Sequence, residues 1–318
     1  MGLVIKLPAG EKLVEYFLSG VADPMLAVWR AKRFAKAREI EAESHADTAA
    51  MLQSYGIFPY ELDASFEYDI TIGQDIEQRL KLQENKRQRN IGSVVYKASE
   101  LLSDVGDVPD QEPDHDWTAR FFNEVQDVSS EEMQVLWAKV LAGEVEKPGS
   151  TSLRTLDILR KINKDTAKLF ERLCSVSCSI IAKPSNIVDC RAISFGKHPG
   201  ENPLKEFGLS FANLNALNEH GLVIPEYNSW IAYNFCIAED YRVDAPFRFQ
   251  SSFWGLKPLE GFEPVDEFRM KGVALSIAGK ELSQAVGIHA VPEYDTALRA
   301  YFESLNLEMV EVAGYNPW

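Results

Sequence analysis

The chain has 318 residues, of which 46% are hydrophobic and 25% charged, so it is long enough for two domains or for one domain with an arm. This composition is typical of a folded protein and excludes large-scale disorder. The formal net charge of −15 argues against a protein whose whole surface is made for nucleic acid. There is no apolar run of the ~18 residues that a membrane span needs. The few cysteines and the lack of a signal peptide predict a cytoplasmic location.

Residues 1–105 are predicted to form a helical arm. A charged, alanine-rich helix is expected from Met25 toward Leu52, with too few apolar positions to be stable alone. Residues 55–72 alternate aromatic and acidic side chains with a period of two, which predicts an inserted strand-like segment. Gln74–Val105 is polar all round in its first half and has coiled-coil-like spacing in its second half. Two such helices predict a long-helix hairpin that a second copy or another protein completes.

Two basic clusters on these helices are the candidate partner-binding surface. Their residues are Arg30, Arg33, Lys36 and Arg38 in the first cluster, and Arg79, Arg87 and Arg89 in the second. Such charges are most often a solvated helix face, and the functional interpretation is an anionic partner. Because the apolar stretch Leu13–Trp29 is followed directly by cations, peripheral contact with an anionic membrane is one alternative. Nucleic acid is another, although the net charge disfavours it.

Residues 106–115 are rich in proline and aspartate and are predicted to be a linker. Residues 116–183 then have the apolar spacing of four short amphipathic helices, which predicts a central four-helix unit. Ser129 followed by Glu132 fits a capping box, and Gly143 stands where a left-handed residue would end the same helix. The predicted core residues are Trp117, Phe121, Met133, Leu136, Trp137, Leu141, Leu156 and Phe170.

The central stretch contains the segment SSEEMQVLWAKVLAGEVEKPGSTSLRTLDIL, preceded by DWTARFF and followed by LFERLC. It closely resembles a bacterial family known only as a domain of unknown function. That family looks like a distant relative of the Abi-alpha proteins associated with abortive infection. The resemblance covers residues 115–178 well and the C-terminal part loosely. It implies a bacterial, non-secreted protein with a role in phage defence, and it brings no catalytic residues.

Residues 184–318 are predicted to form a winged-helix-like α+β domain, so that the whole chain is α+β and mainly α. The predicted strands are Ile187–Phe195, Leu222–Ile224, Trp230–Ala238, Phe247–Trp254, Gly272–Ile277 and Leu307–Val312. A helix, a short strand and a strand pair are typical of a winged helix, although this wing would be unusually long. The helix Phe207–Glu219 would be the recognition helix. It has no arginine and is flanked or ended by glutamates, which favours protein contacts over DNA.

Two arginine–histidine pairs are the candidate catalytic residues. Arg38 with His45, and Arg191 with His198, have the R-x₆-H spacing that resembles HEPN ribonucleases, whose arginine and histidine act at a phosphodiester. Chance alone produces such spacings in a chain of this size. In addition, Arg191 lies on a predicted strand, which is the wrong context for that site.

A zinc site is a weak alternative, and neither a metal nor a cofactor is predicted. Its ligands would be Cys174, Cys178, Cys190 and His198, without the tight C-x₂-C pair that structural zinc sites favour. The sequence therefore predicts a non-catalytic interaction or scaffold protein that forms a homo-oligomer or binds a protein partner through the arm. A ribonuclease and a nucleic-acid- or membrane-binding protein remain the alternatives.

Overall fold

The computed structural model describes residues 72–103, 105, 111, 113–182, 186–196, 200–238 and 242–315, with side chains in the first helix from residue 78 onward. The predicted helix from Met25 and the strand-like segment before residue 72 therefore lie outside the described residues. The chain divides into two compact units, with the boundary between Ser150 and Thr151. This boundary falls inside the predicted central unit of residues 116–183. The domain boundaries of the sequence analysis stay predictions about which segments fold independently.

The described part of the first unit contains three helices. They are α1 (Ile72–Leu101), α2 (His115–Val125) and α3 (Glu131–Glu146). The second half of α1 packs on α2 and α3, because Val94, Ala98 and Leu102 recur at helical spacing and are buried. Trp137 of α3 is only 1% exposed, and its ring meets Phe121 of α2 edge-on with the ring centroids 5.3 Å apart.

The start and end of α3 differ from the prediction. Its N-cap residue is Ser130, whose hydroxyl donates to the Glu132 carboxylate at 2.9 Å and makes no capping bond to the backbone, so the predicted Ser129–Glu132 box is wrong. The helix also continues through Gly143 to Glu146. Among the predicted core residues, Leu136 is only half-buried, whereas the other seven are buried.

The second unit contains five helices and seven strands among its described residues. The helices are α4 (Leu153–Lys161), α5 (Lys164–Ser175), α6 (Phe211–Glu219), α7 (Ile277–Leu282) and α8 (Pro292–Glu303), with short 3₁₀ turns at Pro203–Phe207 and Asn234–Cys236. The strands are β1 (Ser177–Ala182), β2 (Asn186–Ile193), β3 (Ser229–Ala232), β4 (Phe247–Phe249), β5 (Ser252–Pro258), β6 (Arg269–Ala274) and β7 (Leu307–Glu311). Polar N-caps start four of these helices by accepting a backbone N–H with the side chain: Ser152, Asn163, Ser210 and Ser276.

All seven strands belong to one sheet with the order β3-β6-β2-β1-β4-β5-β7, and each pairing is antiparallel. Because side chains alternate between faces along a strand, the register assigns each polar residue to a face. Arg191 lies opposite Cys178, and both belong to one face. Ser179 lies opposite Cys190 and also opposite Arg248, so these three belong to the other face.

The α+β class predicted from the sequence is confirmed, with a larger sheet than a winged-helix strand pair. The predicted strand Trp230–Ala238 ends at Ala232, because the 3₁₀ turn at Asn234–Cys236 interrupts it. The predicted strand Phe247–Trp254 is a tight hairpin of β4 and β5. The predicted strand Leu222–Ile224 is reduced to a single bridge from Val223 to Leu275. Within the described residues, no helix combines the length and the apolarity needed to cross a membrane.

Candidate functional site

The described side chains in the first half of α1 are mostly exposed. Residues 78–86 are all exposed, and the cluster contains Arg79, Arg87 and Arg89 of the predicted partner-binding set. Arg87 forms an ion pair with Asp127, with 3.2 Å between Nε and Oδ1, and Arg89 donates to the Asn85 carbonyl of its own helix. The other predicted cluster, Arg30, Arg33, Lys36 and Arg38, lies outside the described residues.

The same unit also presents an acidic surface. Its exposed carboxylates lie at the start of α2, in the loop after it and in the first turn of α3: Asp114, Asp116, Asp127, Glu131 and Glu132. These acidic residues and the basic cluster of α1 carry charges of opposite sign. One unit thus presents a cationic helix and an anionic helix pair.

Arg191 is a structural residue of the sheet interior. It is 4% exposed, and its guanidinium forms a two-pronged ion pair with Asp189 at 2.6 and 2.7 Å. The remaining nitrogen donates to the Ser229 carbonyl of β3 at 2.7 Å and to the Met270 carbonyl of β6 at 3.0 Å. Each of the three nitrogens has an acceptor and the side chain is buried, which favours a structural role over contact with a phosphodiester. His198, Arg38 and His45 lie outside the described residues.

The Asp189 carboxylate of this ion pair also accepts a hydrogen bond from a tyrosine. The Tyr233 hydroxyl donates to Asp189 at 2.9 Å, and burial raises its pKa well above the ordinary value. Burial alone would lower the pKa of Arg191, but the hydrogen bonds and charge of Asp189 raise it. The three groups therefore form a closed, satisfied network that joins β2 to β3 and β6.

A polar pocket lies on the opposite face of the sheet. It has about 260 Å³ of empty space, including its open mouth. The residues that the strands and α5 bring to it include Cys174, Ser177, Ser179, Cys190, Arg248 and Gln250. Ser179 donates to the sulfur of Cys190 at 3.2 Å, and Ser177 donates to the Leu173 carbonyl at 2.8 Å. The pocket combines one cation with hydroxyl, amide and thiol groups.

The thiols of this pocket are not poised for nucleophilic chemistry. Burial raises the pKa of Cys190 to about 11, although the hydrogen bond to Ser179 and the charge of Arg248 lower it. Burial also raises the pKa of Cys174 well above the ordinary value. Because the thiolate is the reactive form, both sulfurs are protonated and unreactive near neutral pH.

The structure does not bring the four candidate zinc ligands to one place. Cys174 and Cys190 line the pocket, whereas Cys178 belongs to the other face of β1, and His198 lies outside the described residues. Among the described residues, no three side chains of the metal-binding types are grouped.

Sequence reasoning missed Arg248 and Gln250. The signal was the run Phe247-Arg248-Phe249-Gln250, in which apolar and polar residues alternate. That alternation predicts that the two polar side chains share a face. It does not say that Ser179 and Cys190, some 60 to 70 positions earlier, are their neighbours.

The family model described as "Protein of unknown function (DUF2806)" matches residues 74–299, which is most of the chain and reaches from α1 into α8. This chain belongs to the DUF2806 family. The predicted membership of a domain-of-unknown-function family is therefore confirmed, while its relation to Abi-alpha proteins stays a prediction. Comparison with curated proteins and with solved structures finds no match.

Proposed function

We propose that this DUF2806 protein is a non-catalytic, cytoplasmic bacterial interaction protein, and that the basic half of α1 binds the acidic α2–α3 surface of a second copy. The supporting observation is the helix itself, since residues 78–86 are exposed on every side. A helix whose exposed surface is mainly polar gains little from burial within its own chain and is marginal in water. A partner that packs on it would supply the missing stabilisation.

Two leucines within the basic cluster fit this role. Leu80 and Leu82 are 54% and 45% exposed, and Arg79 and Lys81 are their neighbours in the sequence. Apolar anchors within a charged rim are the usual composition of a protein interface, whereas a nucleic-acid groove has no need of them.

A second copy is the favoured partner because the charges of one unit are complementary. Within the chain, Arg87 already pairs with Asp127. In a two-fold arrangement the arm of each copy would reach the acidic surface of the other, so both contacts would form at once. A nucleic acid would instead meet the repulsion of a chain with net charge −15.

The test is the solution mass by light scattering at low salt. We expect about twice the 35.8 kDa of one chain, falling toward the monomer mass in high salt as the charges are screened. The double variant Arg79→Glu/Arg89→Glu should be monomeric, and Lys168→Glu, an exposed charge reversal on α5, should not. A wild-type monomer at low salt refutes the proposal. Steeply salt-dependent binding to a random DNA duplex, or pelleting with anionic liposomes, would then assign the arm to the other partner classes.

We further propose that β2, α6, β3 and β6, with the 3₁₀ turn at Pro203–Phe207, form a winged-helix-like unit used for protein contacts. Its support is the strand order β3-β6-β2 and the tight turn at Gly208, with φ +83, between the 3₁₀ turn and α6. The exposed face of α6 presents Phe211, which stacks on Tyr227, and Asn215, which accepts the Tyr227 hydroxyl. An aromatic face without cations supports protein contacts.

The biological setting that we propose is phage defence of the abortive-infection type. It rests on the resemblance of residues 115–178 to relatives of the Abi-alpha proteins. The experiment is a plaque assay on cells with and without the gene. Equal plating efficiency for a broad phage panel would remove this part of the proposal and leave the self-association unaffected.

A further inference from the structure

The position of Arg248 is set by the alternation of β4. Phe247 and Phe249 point into the apolar core and are fully buried, so Arg248 between them points to the opposite face. There it lies beside Ser179 of β1, its cross-strand partner, and it is half-buried in the polar pocket. Arg248 lines this pocket together with Cys174 and Cys190.

Within the described part of the chain, the Arg248 guanidinium has no hydrogen-bond or ion-pair partner. The carboxylate of Glu171 on α5 lies 3.2 Å from the imidazole of His289. The guanidinium therefore has N–H groups to donate to a bound anion.

Gln250 adds a second unsatisfied donor to the same pocket. Its Nε2 atom is buried and has no hydrogen-bond partner among the described residues. Its backbone is left-handed, with φ +53, which is unfavourable for a residue with a side chain. Orphaned buried donors and strained backbone are concentrated at binding sites, where a ligand completes them.

We propose that this pocket binds a small tetrahedral oxyanion, with the Arg248 fork and the Gln250 amide as its donors. The planar guanidinium matches two oxygens of a phosphate or sulfate, and the amide offers N–H groups to a third. The thiols of Cys174 and Cys190 are protonated and carry no negative charge that would repel an anion. The pocket has an open mouth, and the expected ligands are inorganic phosphate, sulfate or the phosphate group of a small ester.

Removing the charge of Glu171 should change phosphate affinity in the opposite direction to removing the charge of Arg248. Glu171 lies one turn before Cys174 on α5, and Cys174 lines the pocket, so the carboxylate of Glu171 would repel a bound anion. Glu171→Gln should therefore bind phosphate more tightly than the wild type, whereas Arg248→Met should bind it at least about tenfold more weakly, the loss of one charge-assisted pair. A pocket that holds only water predicts neither change.

The experiment is a titration of the full chain with inorganic phosphate, and separately with sulfate, at ionic strength held constant with chloride, followed by calorimetry and thermal shift. We expect saturable binding in the wild type and in the control Arg154→Met, an exposed arginine of α4. If circular dichroism shows Arg248→Met to be unfolded, Arg248→Lys keeps the charge, loses the fork and should bind several-fold more weakly. Absence of saturation in the wild type, or equal affinity in the folded Arg248 variant, overturns the proposal. Tighter binding of phenyl phosphate than of inorganic phosphate would identify an ester as the source.

Discussion

Replacing Arg191 by methionine tests whether the buried ion pair holds the sheet together. The change leaves the Asp189 carboxylate buried, with only the Tyr233 hydroxyl to balance it. It also removes the donor that two carbonyls share, those of Ser229 in β3 and Met270 in β6. Breaking a buried pair by removing one partner costs about 3–5 kcal/mol. For a unit of this size, that loss lowers the melting temperature by about 6–20 °C.

The assay is hydrogen exchange by mass spectrometry in increasing urea, read on peptides from β2, β3 and β6. This readout is needed because a chain of two units does not unfold as one two-state system. The exposed arginine variant Arg154→Met is the matched control and should change exchange by less than about 0.5 kcal/mol. The double variant Asp189→Leu/Arg191→Met should recover part of the loss, because apolar replacement of both partners leaves no unpaired charge. A single variant that costs under about 1 kcal/mol, or a double variant that is less stable than the single one, would contradict this reasoning.

Three further predictions concern pH and packing. Burial raises the pKa of Cys190 from 9.0 to about 11, so its contribution to stability is complete below pH 9 and is lost as pH rises to about 11. The loss is about 2–3 kcal/mol, and alkaline unfolding followed by circular dichroism should be shallower in Cys190→Ala. Trp137→Ala should destabilise the first unit by about 3–5 kcal/mol, because its ring is fully buried against Phe121; little change in a urea melt would place the ring elsewhere. Gln250→Gly should raise the thermal midpoint by a few degrees, since glycine adopts a left-handed backbone without strain; a lower midpoint would show that the amide already has a partner.

The helices were the part that local sequence could predict. The stripe on α3 is visible because Met133, Trp137 and Val140 recur at the helical period, and period is a local property. The exact start of that helix was not predictable from two adjacent serines. Ser129 and Ser130 offer the same hydroxyl, and the choice between them depends on how the preceding loop packs.

The sheet was not predictable because its neighbours are far apart in the chain. Cys178 of β1 pairs with Phe249 of β4, and Arg191 of β2 pairs with Ala274 of β6. Alternation indicates which side chains of a strand share a face, but not which other strand lies beside it. For the same reason the pocket around Arg248 could not be assembled from the sequence, although each of its strands could be placed approximately.

Arg191 and Arg248 belong to the same sheet, and their burial and hydrogen-bond partners predict different roles: a structural role for Arg191 and ligand binding for Arg248. Arg191 is fully buried and every nitrogen of its fork has an acceptor, so its removal should change stability and leave phosphate affinity unchanged at a temperature where the variant is folded. Arg248 is half-buried without an acceptor among the described residues, so its removal should change affinity and leave stability nearly unchanged, or increase it as an uncompensated charge is lost. Paired measurements of the unfolding midpoint and phosphate binding on the two variants distinguish these outcomes. If both variants lose stability alone, Arg248 is a structural residue and the pocket needs no ligand to explain it.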